Sequence, residues 1–271
     1  MILYGRKLIF LYSSEHKNYL KKIKINNFRI RFFQLLIVIL FIFIWQFLAD
    51  NNLINTFIFS SPKKVIDTII NLHQTNNLYQ HIWITIYETF LSFLLGTIIG
   101  IIIATIMWWN KFIAKIIDPY LTVLNSLPKV SLGPIIIIWA GAGMNSIIIM
   151  ALLISTIITI INVYQGFSDT DINKIKLMKS LGATKKQTYF KLVFPSNYNT
   201  IISSLKINIS MSLIGVIMGE FLVSKSGLGY LIMYGSQVFN LNLVIAGIIL
   251  LCILAALMYY LVLFIENRFK K

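Results

Sequence analysis

Six apolar runs, each about long enough to cross a lipid bilayer, fill most of this 271-residue chain and leave it few folds to adopt. They are residues 32–49, 81–109, 116–141, 144–164, 198–223 and 241–265. About 20 apolar residues in a helix span the roughly 30 Å of hydrocarbon in a bilayer. Inside lipid every backbone N–H and C=O needs an internal partner, which helices supply within one segment. The expected fold class is an all-α membrane protein with about six transmembrane helices. A soluble domain of this size could not bury 58% hydrophobic residues behind a surface drawn from 12% charged ones.

The net charge of +15 would suggest nucleic acid in a soluble protein, but here the basic residues sit between the apolar runs. Residues 1–31 hold eight of them: Arg6, Lys7, Lys17, Lys21, Lys22, Lys24, Arg29 and Arg31. Their patch at 8–12 is too short to span, and no cleavable signal is expected ahead of the first run. Lys111 and Lys115, six lysines within 169–195, and Arg268, Lys270 and Lys271 fall on the same side of six successive crossings. That side collects nineteen basic residues against three opposite, Lys63, Lys64 and Lys225. By the positive-inside rule the cell membrane holds the chain with both termini and the 169–195 segment in the cytoplasm. The expected division is a cytoplasmic arm at 1–31, a membrane domain at 32–265 and a cytoplasmic tail at 266–271. The charge is read as orientation, with the lipid bilayer as partner and no nucleic acid.

The residue types that carry enzyme chemistry are scarce. Cys252 stands alone in an apolar run, and His16, His73 and His81 fall on two sides of the membrane, so neither a metal site nor a His-based nucleophile is expected. No glycine loop ending in Gly-Lys-Ser/Thr offers a phosphate cradle. No catalytic residue, metal or cofactor is expected, and any ATP used must be bound by another chain.

Several features mark the spans. Pro62 suits a first helical position, and Val65, Ile69 and Leu72 follow at helical spacing, as in an amphipathic surface helix. Gly96 and Gly100 form a GxxxG pattern that lets helix backbones approach in lipid. The 116–141 run is broken by Pro119, Pro128 and Pro134, with Lys129 at the break; that lysine either faces a pathway or snorkels to an interface. Gly141 and Gly143 predict a tight turn. Lys206 lies near one end of the fifth run, with Gly215, Gly219 and Glu220 toward the other, and a loop carrying Gly227, Gly229 and Gly235 is expected after it. Glu220 and Glu88 are carboxyls inside spans. Glu220 is a candidate gate with Lys129, Pro128, Gly215 and Gly219, or else a structural hydrogen-bonding group.

The segment 169–195 is the longest internal stretch that belongs in water. Ser168 to Thr170 offer N-cap oxygens, Ile172, Ile175, Leu177, Met178 and Leu181 recur at helical spacing, and Lys174, Lys176 and Lys179 occupy the other face. Gly182 is a natural C′ stop. Thr184 with Gln187 fits a capping box, and Pro195 is expected to interrupt the second helix. The alternative to this helix–turn–helix docking surface is a solvated basic loop.

Leu181, Gly182, Ala183 and, after eight residues, 192–195 resemble the EAA loop of ABC importer permeases. Glycine, an aliphatic residue and proline keep their spacing there, whereas the leading Glu-Ala-Ala is Lys176, Leu177 and Met178. The resemblance extends over roughly 45–271 to permeases of the nitrate, sulfonate and taurine type. It runs through Ser61-Pro62, Asp118-Pro119, Ser126 to Pro128, Leu132 to Pro134, Trp139 to Gly141, Gly219 to Phe221 and Ser226 to Tyr230. Such permeases often carry arginine where this chain has Glu88. The resemblance implies a type I ABC importer permease (MetI-like) fold. Lys176, Leu177, Met178, Leu181, Gly182, Ala183, Thr184 and Pro195 would couple it to a cytoplasmic ATPase. It implies a permease homodimer, an extracytoplasmic solute-binding protein, and ATP-driven alternating access for a small solute such as a sulfonate, nitrate, taurine or vitamin precursor. An ATP-independent channel or a multi-pass membrane enzyme is the alternative.

Overall fold

The structure is a computed structural model that describes residues 14–75 and 77–269. Arg6, Lys7, the patch at 8–12, Lys270 and Lys271 lie outside the described residues. Among the described residues all regular structure is helical. The chain divides into two compact units, Met1–Lys63 and Lys64–Lys271.

The first unit is built on α1 (Ser14–Asp50), in which the basic residues from Lys17 onward and the first apolar run share one continuous helix. Asn55 caps the short α2 (Thr56–Phe59) by accepting the Phe57 N–H at 2.9 Å. Gln46, near the end of α1, donates to Asp50 at 2.8 Å and accepts the Lys63 N–H at 3.1 Å.

The second unit is a helical bundle. At the boundary α3 (Pro62–Gln74) starts on its proline as the sequence predicts, with Val65 buried and Ile69 and Leu72 half-buried. Then come α4 (Asn77–Trp109) and α5 (Lys111–Ser126), which Asn110 caps by accepting the Phe112 and Ile113 N–H groups. Pro119 sits inside α5 without ending it. The break falls at Leu127 and Pro128, followed by a 3₁₀ turn (Lys129–Leu132) and α6 (Gly133–Ala140). α7 (Met144–Ser168) follows a turn in which Gly141 and Gly143 take φ of 82° and 144°. The watery segment folds as α8 (Ile172–Ser180), α9 (Lys185–Thr188), a π turn (Tyr189–Val193) and α10 (Phe194–Ser196). The bundle closes with α11 (Tyr198–Val223), α12 (Leu228–Gln237) and α13 (Leu241–Phe269). The loop expected between the last two runs is therefore largely helical, and the expected tail begins inside α13.

Among the described residues five stretches are long and apolar enough to cross a membrane: Asn18–Asp50, Asn77–Trp109, Met144–Ser168, Tyr198–Val223 and Leu241–Phe264. The pair Lys111–Ser126 and Lys129–Ala140, bent by 92°, makes a sixth if it is one broken span.

α7 is the centre of this unit, and glycines bring its neighbours onto it. A Cβ at Gly96 would stand 2.6 Å from Ser155 Oγ, and one at Gly100 2.6 Å from Thr159 Cγ2. On α11, a Cβ at Gly215 would stand 2.5 Å from Ala151 Cα, and one at Gly219 2.9 Å from Ile147 Cα. Asn208 adds a polar contact between α11 and α4, donating to Thr97 Oγ1 at 2.7 Å. Lys206 Nζ pairs with Glu266 Oε2 at 2.9 Å and ties α11 to the end of α13.

Because the atom facing Gly215 is backbone, no side chain can move aside for a larger residue. Gly215→Val should force α11 off α7 at a cost of about 1–3 kcal/mol. Thermal unfolding in detergent should show a lowered midpoint, while Ile214→Val, at an exposed position on the same helix, should not.

Candidate functional site

Two groups of sequence-predicted residues are assembled by the bundle, one at each end. The first is the 169–195 segment. Its first helix is capped by Asp171, which accepts the Asn173 N–H at 2.8 Å. The cap expected within 168–170 is thus one residue further on, because Ser168 still belongs to α7 and the Thr170 hydroxyl accepts from Asn197 Nδ2 at 2.8 Å. At the other end of α8 the Gly182 N–H reaches Lys179 O at 2.9 Å and the Ala183 N–H reaches Met178 O at 3.0 Å. With Gly182 at φ 75°, this is the Schellman stop that satisfies the last helical carbonyls. Thr184 then makes both bonds of its capping box, accepting the Gln187 N–H at 3.2 Å while its own N–H reaches Gln187 Oε1 at 2.8 Å.

Pro195 does not interrupt the second helix as expected. Lacking an N–H, it leaves the Lys191 carbonyl without its helical donor, and the turn just before it widens to a π turn. Helical structure continues through Ser196 and breaks at Asn197, whose amide also donates to Val193 O at 2.9 Å.

What anchors this half is Tyr189. Its ring is buried against Trp108, Trp109, Phe167 and Phe194 at centroid distances of 5.2, 5.8, 5.6 and 6.1 Å. Its hydroxyl shares a 2.7 Å hydrogen bond with Thr105 Oγ1 on α4. Burial pushes the phenol pKa above its usual value, so the ring stays neutral in this contact. Lys185 Nζ donates to Trp109 O at the end of the same helix. By contrast α8 stands away from the bundle, with Leu177 60% and Leu181 73% exposed. The expected apolar and basic faces of α8 are mixed. Ile172 and Ile175 line a cleft together with Lys176 and Lys179, whereas Leu177 and Leu181 lie off it.

The second group surrounds Glu220, which is 1% exposed. Thr85 Oγ1 donates to Glu220 Oε1 at 2.7 Å and accepts the Leu228 N–H at 2.8 Å. The Gly229 N–H reaches Glu220 Oε2 at 2.5 Å, and the Gly227 N–H reaches His81 Nδ1 at 2.9 Å. These are the first N–H groups of α12, which have no acceptor within their own helix, and side chains of α4 and α11 supply acceptors. The glycines are required for approach: a Cβ at Gly227 would stand 2.3 Å from Glu220 Oε1, and one at Gly229 2.7 Å from Oε2. Glu88 is brought to the same point, its carboxyl against that of Glu220, and it is 3% exposed.

The remaining pathway candidates make none of these bonds. Pro128 precedes the 3₁₀ turn, and Lys129 Nζ donates to Asn125 O at 2.9 Å in an exposed position. Gly215 and Gly219 pack on α7, as described above.

Comparison with known proteins identifies the assembly. The family described as binding-protein-dependent transport system inner membrane component matches residues 96–271. The chain belongs to this family. A Haemophilus influenzae protein named a probable ABC transporter permease is 28% identical over 87% of this chain and 95% of its own length. The formylaminopyrimidine transport permease ThiX of Halalkalibacterium halodurans is 26% identical over 73% of this chain and 77% of its own. A solved chain of the MetNI methionine ABC transporter, in an inward-facing conformation, superposes with a TM-score of 0.63 at 18% identity, covering 72% of this chain and 95% of that one. The fold is MetI-like, and the chain is a multi-pass ABC importer permease, a transport subunit rather than an enzyme.

Sequence reading singled out Glu220, Glu88 and the family glycines of this permease but missed Thr85, His81, Thr105 and Tyr189. A threonine in an apolar helix carries no signal by itself. Tyr189, one of two adjacent aromatics amid lysines, could have been found as the sort of residue that anchors such a segment.

Two substitutions test the two groups. Thr85→Val removes a donor to Glu220 and the acceptor of the Leu228 N–H, and should cost about 1–3 kcal/mol. In a double-mutant cycle with Glu220→Gln the two losses, read from unfolding midpoints in detergent, should not add. Gly182→Val should meet about 1–2 kcal/mol of left-handed strain. ATP hydrolysis by the assembled transporter should then persist while uptake falls, and normal uptake would show that this turn is not part of coupling.

Proposed function

We infer that the permease moves a small solute inward by ATP-driven alternating access, as a homodimer with both termini and α8 in the cytoplasm. The observation that carries this reading is the contrast within 169–195. Tyr189 and Asn197 fix one half to the ends of α4 and α7, while α8 projects on a rigid turn. A cytoplasmic ATPase that grips α8 would move those helix ends with it. Rigid-body motion of this kind suits a bundle whose interior is close-packed through glycine.

The docking face is read as Leu177 and Leu181, two exposed apolar residues one turn apart. Met178, Ala183 and Thr184 shape the turn beside them, and Lys176 stands where the family pattern begins with glutamate. Because Lys176 is turned toward the cleft, an apolar contact takes the role of the acidic one. Orientation follows the basic residues, nineteen on the side of α8 against three on the other.

Cargo is delivered by an extracytoplasmic binding protein and belongs to the small solutes handled by sulfonate-, nitrate-, taurine- or vitamin-precursor-type systems. The relative named for formylaminopyrimidine supports the last of these classes. Gating is assigned to the bend at Pro128 and Lys129 and to the Glu220 lock with Gly215 and Gly219 beside it.

The test is co-expression with the ATPase encoded beside this permease. The ATPase should copurify, vesicles holding both with the binding protein should accumulate solute only with ATP, and Leu181→Asp should reduce copurification at least tenfold. Solute flux through vesicles holding this chain alone, or no bound ATPase, would replace this reading with a passive channel.

A further inference from the structure

Behind α8 lies a cleft of about 710 Å³ whose wall carries Lys111, Lys115, Lys176, Lys179 and Lys185. No carboxylate lines it. The two acidic residues nearest in sequence are engaged elsewhere, Asp171 capping α8 and Asp169 accepting from Gln165 at 3.5 Å. None of the five lysines makes an ion pair with a described residue, and the one bond among them to a partner across the fold is that of Lys185 to Trp109 O. Five ammonium groups around one cleft repel each other unless an anion stands between them. The rest of the wall is mainly apolar and aromatic, with Trp108, Tyr164 and Phe167 among its residues, and also carries the hydroxyls of Ser168, Thr170 and Thr188.

The level of the cleft narrows the choice of anion. It opens where α4 ends at Trp109, where α5 begins at Lys111 and where α7 ends at Ser168. Three helix ends at one height, with Trp and Tyr rings among them, mark the boundary between hydrocarbon and headgroups. At that height the abundant anion is a lipid phosphate, and the apolar part of the wall suits the glycerol and first acyl carbons that a free phosphate lacks.

We propose that this cleft is a binding site for the headgroup of an anionic phospholipid, which bridges α5, α7 and the projecting α8. The proposal rests on the cytoplasmic orientation of α8 given above. A bound headgroup screens Lys176 and Lys179 from Lys111 and Lys115 and sets the resting position of α8, so the transporter's coupling depends on lipid charge.

The experiment uses the permease with its ATPase in nanodiscs of phosphatidylcholine into which phosphatidylglycerol is titrated, with retained lipid counted by native mass spectrometry. Wild type should retain phosphatidylglycerol in preference to phosphatidylcholine. Lys111→Gln/Lys115→Gln should weaken that retention roughly tenfold or more. Lys111→Arg/Lys115→Arg should keep it, and Lys63→Gln/Lys64→Gln should leave it unchanged. Equal retention of the two lipids, or equal loss in the Lys63/Lys64 control, overturns the site. Lysine-dependent binding of inorganic phosphate in phosphatidylcholine discs, without phosphatidylglycerol preference, overturns the lipid assignment. Loss of the ATPase from the Gln variant with lipid retained would make the cleft a protein dock and also overturns it. ATPase copurification with the wild-type chain, scored on the same samples, reports separately on the importer reading.

Discussion

Close contact of α7 with four glycines, Gly96 and Gly100 on α4 and Gly215 and Gly219 on α11, is the interaction on which the rest of this permease depends. In lipid no water drives helices together, so association rests on van der Waals contact and on the few polar bonds that close approach allows. Gly215 and Gly219 bring α11 onto Ala151 and Ile147, and Gly96 and Gly100 bring α4 onto Ser155 and Thr159. Those four α7 residues, 147, 151, 155 and 159, form one i, i+4 ridge, so α11 and α4 occupy successive parts of it. That shared ridge brings Thr85 of α4 within 2.7 Å of Glu220 of α11. It also brings Asn208 to Thr97, and it leaves the end of α4 free to receive Tyr189.

The Glu220 lock shows how a costly group becomes structural once the helices are this close. A carboxyl in hydrocarbon is expensive when unpartnered, and an open helix N-terminus is expensive for the opposite reason, its N–H groups having no acceptor. Each cancels the other here, with Gly229 and Thr85 donating to the two oxygens of Glu220. Gly227 and Gly229 are there because any side chain would occupy the space of the carboxyl. Glu88 stands at the same point. An arginine there, as the family resemblance leads one to expect, would meet Glu220 with opposite charge, so the lock in this chain is built from hydrogen bonds and contact rather than from an ion pair.

What the sequence reveals of this structure divides by distance along the chain. The apolar runs, the Gly182 stop and the Thr184–Gln187 box involve residues within a few positions of one another, and periodicity and capping chemistry make them legible. The contacts that assemble the site span 135 residues between Thr85 and Glu220 and 84 between Thr105 and Tyr189, and no local pattern encodes them. α12 was hidden because Gly227, Gly229 and Gly235 read as loop punctuation, although two of them serve close approach. Pro195 misleads in a related way: a missing N–H can be absorbed by widening the preceding turn, so proline marks a strained place without fixing which residue ends the helix.

The same division bears on coupling. If α8 were rigidly packed, force applied to it would be spread over many contacts; if it were loose, force would be lost in the turn. It is neither. The turn at Gly182 is held by two backbone bonds and the capping box by two more, which braces the link between α8 and the Tyr189 anchor. Because the anchor meets α4 and α7 near the ends of their spans, a displacement of α8 in the proposed coupling would act on the helices whose glycine contacts define the bundle. On the proposed docking face Leu177 and Leu181 would stand in for an acidic contact, while Lys176 lines the cleft behind α8. The charge that the family pattern would place at the start of this loop is thus reversed in Lys176, which lines that cleft.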